Sequence, residues 1–306
     1  MTNRLPGIGG TDIAKIMGVS PWGTAFDVYC DKLGLVDPPQ ENRAMRLGKR
    51  FEPVLLEEYT IETGLDARPW QQHIRHPDIE IAVGTPDAMV TSAPIGIETK
   101  TAGIRQAQRW GEPGSDQIPE EYVLQACWYA AITDFDRWDV AVLIGGQDFR
   151  VYLIQRNREL EGLMLEAAQR FWRDHILTQT PPAIDGSASA REYIERTYRR
   201  NTQPLRIATP EETLLLSRLS EIREQRKIVE TQESELETLV KAAIRDSEGL
   251  EWDGGRVTWR ASKDRSDVDW EAVARSLGAT PEVVKQYTLT KPGSRRFLLR
   301  ENAENV

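Results

Sequence analysis

Apolar and polar residues alternate along the chain with two different periods, and the switches between them mark out its elements. Over residues 10–17 the order GTDIAKIM, opened by the capping pair Thr11 and Asp12 and closed by Gly18, predicts a first helix. Phe26, Val28, Tyr29 and Leu33 supply the packing side of a second helix across residues 24–33. A longer amphipathic helix is expected over residues 45–63, where Gly64 stops it. The period then shortens. Extended segments are expected at residues 66–73, 79–83, 88–90 and 95–101, bounded by Gly, Pro and Thr and reading as a meander. Pro119 opens a further helix through Val123, Cys127, Ala130 and Ile132. Strands at residues 138–144 and 149–154 flank Gly145-Gly146-Gln147-Asp148, which has the composition of a hairpin turn, and a helix over 158–177 closes this unit. Helices, antiparallel strands, then helix, strands and helix make an α+β fold, three layers (α/β/α) about a mixed sheet.

Residues 181–209 are rich in Pro, Ser and Arg and read as a linker between a unit at 1–180 and an extension at 210–306. The extension opens with a long charged helix over 210–246. Along it Leu215, Leu219, Ile222, Arg226, Val229, Glu233, Leu236, Val240 and Ala243 alternate by four and three, a heptad-like seam interrupted at Arg226 and Glu233. Such a seam suits a helix lying on its own domain and a true coiled coil alike. A strand at 256–261, a short helix at 270–277 and a final strand at 296–300 complete a small α+β tail.

Composition narrows the classes. A net charge of -9 over 306 residues excludes a generic basic DNA-coating protein. It leaves room for a nuclease, whose metal needs acidic ligands, provided Arg and Lys are gathered in one groove. Two cysteines, Cys30 and Cys127, both in apolar stretches, and three histidines cannot make a four-ligand zinc site by the usual spacing, and the cysteines read as core residues. No apolar run approaches the roughly 20 residues of a membrane-spanning helix, and the N-terminus lacks the layout of a signal peptide, so a cytoplasmic protein is expected.

The sharpest chemical feature is Gly84-Thr85-Pro86-Asp87 followed by Ile97-Glu98-Thr99-Lys100. In a strand alternate residues share a face, so Glu98 and Lys100 point together while Thr99 points away. Pairing this strand with the segment that ends at Asp87 brings both carboxylates within reach of one cation. Hard oxygen ligands of this kind, with the Thr99 carbonyl as a further candidate, describe a magnesium site in which manganese substitutes. Lys100 could orient an attacking water or stabilise charge building on a phosphorane. Taken alone the trio fits a hydrolytic metal site and a surface hairpin equally well.

More of the chain carries a resemblance. Pro86-Asp87…Glu98-Thr99-Lys100 resembles the PD-(D/E)XK nuclease signature. Arg4-Leu5-Pro6-Gly7-Ile8-Gly9-Gly10-Thr11-Asp12 resembles the N-terminal motif R-x-x-G-I-G-G-S-D of the YqaJ-type viral recombinases, a lambda-exonuclease-like branch of those nucleases. Arg46-Leu47-Gly48-Lys49-Arg50-Phe51-Glu52-Pro53 resembles its G-x-x-x-E-P helix, and Gln125 with Tyr129 its Q-x-x-x-Y helix. The resemblance spans residues 4–129, with a weaker likeness in the tail at residues 255–260 and 294–297. It implies a restriction-endonuclease-like core and a metal-dependent deoxyribonuclease. Glu52 would lie beside the metals, Gln125 near the scissile phosphate with Tyr129 in support, and Arg4 and Thr11 on a terminal 5′-phosphate. Thr11 departs from the family's serine but keeps the hydroxyl. The implied reaction is 5′-end digestion of linear duplex DNA to leave 3′ overhangs, with a single-strand annealing recombinase as partner and a homo-oligomeric ring as assembly. An endonuclease on the same fold and a non-catalytic DNA-end scaffold are the competing readings.

Overall fold

A computed structural model describes residues 7–37, 41–70, 72–263, 266–289 and 297. The chain divides into two compact units between Tyr198 and Arg199. The first runs α1 (Gly10–Ile16), α2 (Ala25–Leu33), α3 (Arg43–Thr63), β1 (Ala67–Pro69), β2 (Ile74–Arg75), β3 (Val83–Gly84), β4 (Ala88–Val90) and β5 (Ile95–Ala102). A 3-10 turn (Ile104–Arg109), α4 (Glu120–Thr133), β6 (Arg137–Ile144), β7 (Asp148–Gln155), α5 (Arg158–Phe171), a π-turn (Trp172–Leu177) and α6 (Ala188–Thr197) follow.

A mixed five-stranded sheet of order β1-β4-β5-β6-β7 lies at the centre, as expected for an α+β fold. Only β5 and β6 run parallel, and the crossover between them is α4; every other neighbouring pair is antiparallel. The expected meander is realised by β1, β4 and β5, whereas β3 pairs with β2 in a separate ribbon. β1 is the edge strand of the sheet, and just past Pro69 the Trp70 N–H still donates to the Asp87 carbonyl at 2.8 Å.

Strand β6 shows why three layers form. Trp138, Val140, Val142 and Ile144 face a core shared with α1, α4 and α5, while Ala141 faces a second core with Leu56 and Tyr59 of α3. Asp139 is carried on that second face and is fully buried. The Tyr59 hydroxyl donates to Asp139 Oδ2 at 2.6 Å, and Arg137 clamps the same carboxylate from 2.6 and 2.8 Å. Burial, then the Asp139 carboxylate, holds the Tyr59 phenol well above its ordinary pKa, so it stays a donor. Tyr59→Phe leaves this buried carboxylate one donor short. Urea unfolding should register a loss of about 1–3 kcal/mol, and an unchanged midpoint would contradict the role given to this bond.

Two local expectations are revised. Asp12 is not the cap of α1 but sits at its third position, accepting from the Gly9 N–H at 2.9 Å. The stretch taken as a linker carries α6, whose Ala190 is buried and whose Tyr193 meets the Phe26 ring edge-on at 5.5 Å. That helix is short and packs through few side chains, which is why its pattern is faint. Cys30 and Cys127 are buried and unlinked, and burial pushes both thiols up to about 11.

The second unit comprises α7 (Pro210–Ile244), a hairpin of β8 (Gly249–Trp252) and β9 (Gly255–Thr258), α8 (Trp270–Ser276) and α9 (Pro281–Gln286). The expected strand at 256–261 is β9; its partner β8 and the helix α9 are additions. The expected strand at 296–300 lies outside the described residues apart from Phe297. Among the described residues no helix is long and apolar enough to cross a membrane.

Candidate active site

Strand β5 sets the register of the site. Its register with β4, Ala88 opposite Ile97, places Asp87 next to Glu98 at the start of β4. One oxygen of Asp87, Oδ2, accepts from the Thr99 N–H at 2.8 Å and from the Thr99 hydroxyl at 2.9 Å. Thr99, facing away from Glu98, therefore fixes the Asp87 carboxylate from its own side of the strand. Sequence reasoning offered only its carbonyl, and no pattern in the sequence distinguishes the two parts.

Glu98 and Lys100 share the other face, as the alternation requires. Glu98 is only 4% exposed, and its Oε1 accepts from the Lys100 ammonium and, at 2.7 Å, from Gln125 Nε2. Gln125 also reaches the Tyr129 hydroxyl at 3.3 Å, and that hydroxyl donates to the Thr85 carbonyl at 3.5 Å. Helix α4 thus brings Gln125 and Tyr129 to the strand that bears the carboxylate. Close approach depends on two glycines: a Cβ on Gly10 would stand 2.9 Å from Gln125 Cγ, and one on Gly84 would stand 2.9 Å from the Tyr129 ring. The Lys100 ammonium lies 5.1 Å from the centre of the Tyr122 ring, which stacks on Trp110.

Electrostatics follow from this crowding. Burial, then Asp87, pushes the Glu98 carboxyl up to about 8 against the pull of Lys100. Burial lowers the Lys100 ammonium, but the carboxylates of Glu98 and Asp87 outweigh it and leave the amine above its ordinary value. Glu52, half-buried on α3, is raised by burial and by Asp87 and lowered by Lys100 and Lys49. Glu52 is thus within electrostatic reach of Asp87 and Lys100.

The residues fit a hard cation. Glu98 Oε2 is buried and has no hydrogen-bond partner, a costly condition that a bound ion would relieve. Among the described residues no group of three or more ligand side chains is preassembled. Magnesium does not need one, since it is held by one or two carboxylates together with water and substrate phosphate. Asp87 and Glu98 would be the ligands, with Glu52 alongside.

Behind Tyr129 a cavity of about 310 Å³ is lined by Gly9, Gly10, Thr11, Lys32, His73 and Thr85. Thr11 is exposed toward it. Asp12 in the same wall is paired with Lys32 at 2.7 Å, and His73 Nδ1 lies 2.7 Å from the Thr85 hydroxyl. Neither Lys32 nor His73 stands out in the sequence. Arg4 falls outside the described residues.

The helix that bears Glu52 also carries a run of cations. Arg43, Arg46, Lys49 and Arg50 are exposed on the first half of α3, within one helix of Glu52. Pro53 follows Glu52 directly, and beyond it Leu55, Leu56 and Tyr59 bury the rest of the helix. Four cations in eight residues of a chain with net charge -9 was the available signal.

Comparison with known proteins agrees with the motifs. Residues 1–136 match the model of the YqaJ-like viral recombinase domain. The uncharacterized protein YqaJ of Bacillus subtilis strain 168 is 29% identical over 253 residues, covering 81% of this chain and 78% of the relative. Among solved structures, an alkaline exonuclease from Laribacter hongkongensis overlaps 57% of this chain and 90% of its own at 20% identity, with a TM-score of 0.46. A phage related exonuclease from Haemophilus somnus overlaps 57% and 96% at 15% identity, with a TM-score of 0.42. The motifs, the match over residues 1–136 and the Bacillus relative agree in likening the first part of this chain to the YqaJ-like viral recombinase domain.

Proposed function

We propose that the first unit is a magnesium-dependent deoxyribonuclease that digests linear duplex DNA from its 5′ ends and leaves 3′ overhangs. The observation that carries the reading is Glu98 Oε2, a buried carboxylate oxygen without a partner beside Asp87 and Lys100. A magnesium or manganese ion held there would supply charge neutralisation on the scissile phosphate and a lowered pKa for attacking water. The chain's own residues do the positioning. Thr99 holds Asp87 in one orientation, and Gln125 does the same for Glu98. Lys100, whose amine Glu98 and Asp87 raise above its ordinary value, would stabilise negative charge as it builds on phosphate oxygens.

End recognition is assigned to the cavity beside Thr11, whose hydroxyl would contact a terminal 5′-phosphate together with Arg4. Duplex backbone is assigned to Arg43, Arg46, Lys49 and Arg50, whose phosphate contacts would make binding fall steeply with salt. An annealing recombinase as partner and assembly as a homo-oligomer in the host cytoplasm complete the proposal, as the recombinase domain suggests.

Digestion of end-labelled duplexes tests it. Mononucleotide release from 5′ ends should require magnesium, stop in EDTA and run faster on 5′-phosphorylated than on 5′-hydroxyl ends. Covalently closed circles should survive. Nicking of closed circles at the linear rate would replace the end-directed reading with an endonuclease.

A further inference from the structure

Helix α7 is long, regular and deliberately begun. Thr209 caps it by accepting from the Glu212 N–H, Glu212 reaches back to the Thr209 N–H, and Pro210 occupies its first turn. One row of its apolar residues is nevertheless in solvent: Leu215 is 69% exposed, Ile222 54%, Val229 60% and Leu236 63%. These four stand seven residues apart. A second row, Leu219, Arg226, Glu233 and Val240, runs beside the first with the same repeat. Two rows sustained over four heptads form a seam that needs a facing helix to bury it. Among the described residues the Phe297 ring lies over Arg223, at the edge of this seam, and the Trp259 ring is near Lys241, while Leu219 within the seam is half-buried.

The charged members decide the partner and its direction. In a parallel pair of identical helices each row meets itself, so Arg226 would face Arg226 and Glu233 would face Glu233. In an antiparallel pair the two rows meet one another. Centred between residues 227 and 228, that arrangement sets Leu215 against Val240 of the second copy, Leu219 against its Leu236, and Ile222 against its Glu233. Arg226 then lies one turn from Glu233 of the second copy, and the contact occurs twice about the dyad. The flanks agree. Arg218, Arg223 and Lys227 come to oppose the stretch that carries Glu230, Glu235 and Glu237. Within one copy Arg226 bridges Glu230 at 3.1 Å, an exposed pair that contributes little by itself and is compatible with the added contact.

We propose that α7 is the self-association element of this protein, pairing antiparallel with α7 of a second copy through the seam from Leu215 to Val240. The proposal is independent of the nuclease reading. The helix spans about 50 Å. The two chains would therefore enter the shared rod from its opposite ends.

Sedimentation of the full chain and of charge variants tests it. The parent should sediment as a dimer. Arg226→Glu alone and Glu233→Arg alone should each raise the dissociation constant by about tenfold or more, and the double exchange should return it close to the parent value. A parallel pair would show no such rescue. Leu215→Cys combined with Val240→Cys should give a covalent dimer under mild oxidation, while Leu215→Cys alone should not. A parent that stays monomeric at high concentration, its seam covered by its own tail, overturns the proposal. So does an oligomer indifferent to all three charge variants, or cross-linking by Leu215→Cys alone. These substitutions lie on an exposed helix outside the first unit, so DNA digestion reports the nuclease reading separately.

Discussion

Asp87→Asn is expected to lower digestion of linear DNA in magnesium by about 10²–10³-fold or more, with the melting temperature kept close to that of the parent. The substitution is nearly isosteric. Its carbonyl oxygen can still accept from the Thr99 N–H and hydroxyl, which now donate to Oδ2 at 2.8 and 2.9 Å, so the strand pairing should survive. What disappears is a negative charge beside Glu98. Because Asp87 helps to raise the Glu98 carboxyl, the same variant should let Glu98 give up its proton at lower pH. Lys100→Met should abolish digestion to a similar extent while keeping an apolar stem against Tyr122. Digestion by both variants within about threefold of the parent, a difference under 1 kcal/mol in barrier, would remove these residues from the chemistry.

The second large effect concerns stability and metal together. In EDTA the folded protein holds the Glu98 proton up to about pH 8, whereas the unfolded chain gives it up near the ordinary value of 4.5. Between those limits the folded state binds the extra proton. This group's contribution is thus fully present below pH 4.5 and is lost as the pH rises through about 8. Melting temperature in EDTA should therefore decline over that window. Adding magnesium above pH 8 should restore it, since an ion binds only the folded site and stabilises by about 2.7 kcal/mol at a hundredfold excess over its dissociation constant. Glu98→Gln removes the titration and the ligand together. Its melting temperature should lose both the decline and the magnesium response. A variant that still gains stability from magnesium would move the metal away from Glu98.

The grouping of the candidate site residues was more legible in the sequence than the contacts that hold them. Asp87, Glu98 and Lys100 are legible because a strand's two-residue period forces Glu98 and Lys100 together, and one antiparallel neighbour brings in Asp87. Gln125 is legible only through its helix motif, since nothing local tells that its amide will meet Glu98 across 27 residues. The bond from the Thr99 hydroxyl to Asp87 was not legible, for a physical reason. A side chain on the far face of a strand can still reach a carboxylate at the end of the next strand, where the pleat no longer separates them. Helix boundaries of α2, α4 and α7 fell within a residue or two, because Gly, Pro and cap residues punctuate them. β2 and β8, only two and four residues long, left no periodic trace.

Pro53 gives α3 two halves of unequal stiffness. It has no N–H for the carbonyl four residues before it, so one rung of the helical ladder is missing next to Glu52. Past that rung, Leu55, Leu56 and Tyr59 weld the helix to the sheet; before it, the cations stand in water. A polyanion settling on the free half would bend the helix at the gap, carrying Glu52 while Asp87 and Glu98 stay fixed to their strands. Amide exchange should reveal the joint as fast exchange through residue 52 and slow exchange from residue 55, and uniform protection across it would show a single rigid rod. On the proposed function, two carboxylates would then be anchored on strands and the third carried on the looser half of α3, within reach of a load applied by bound polyanion.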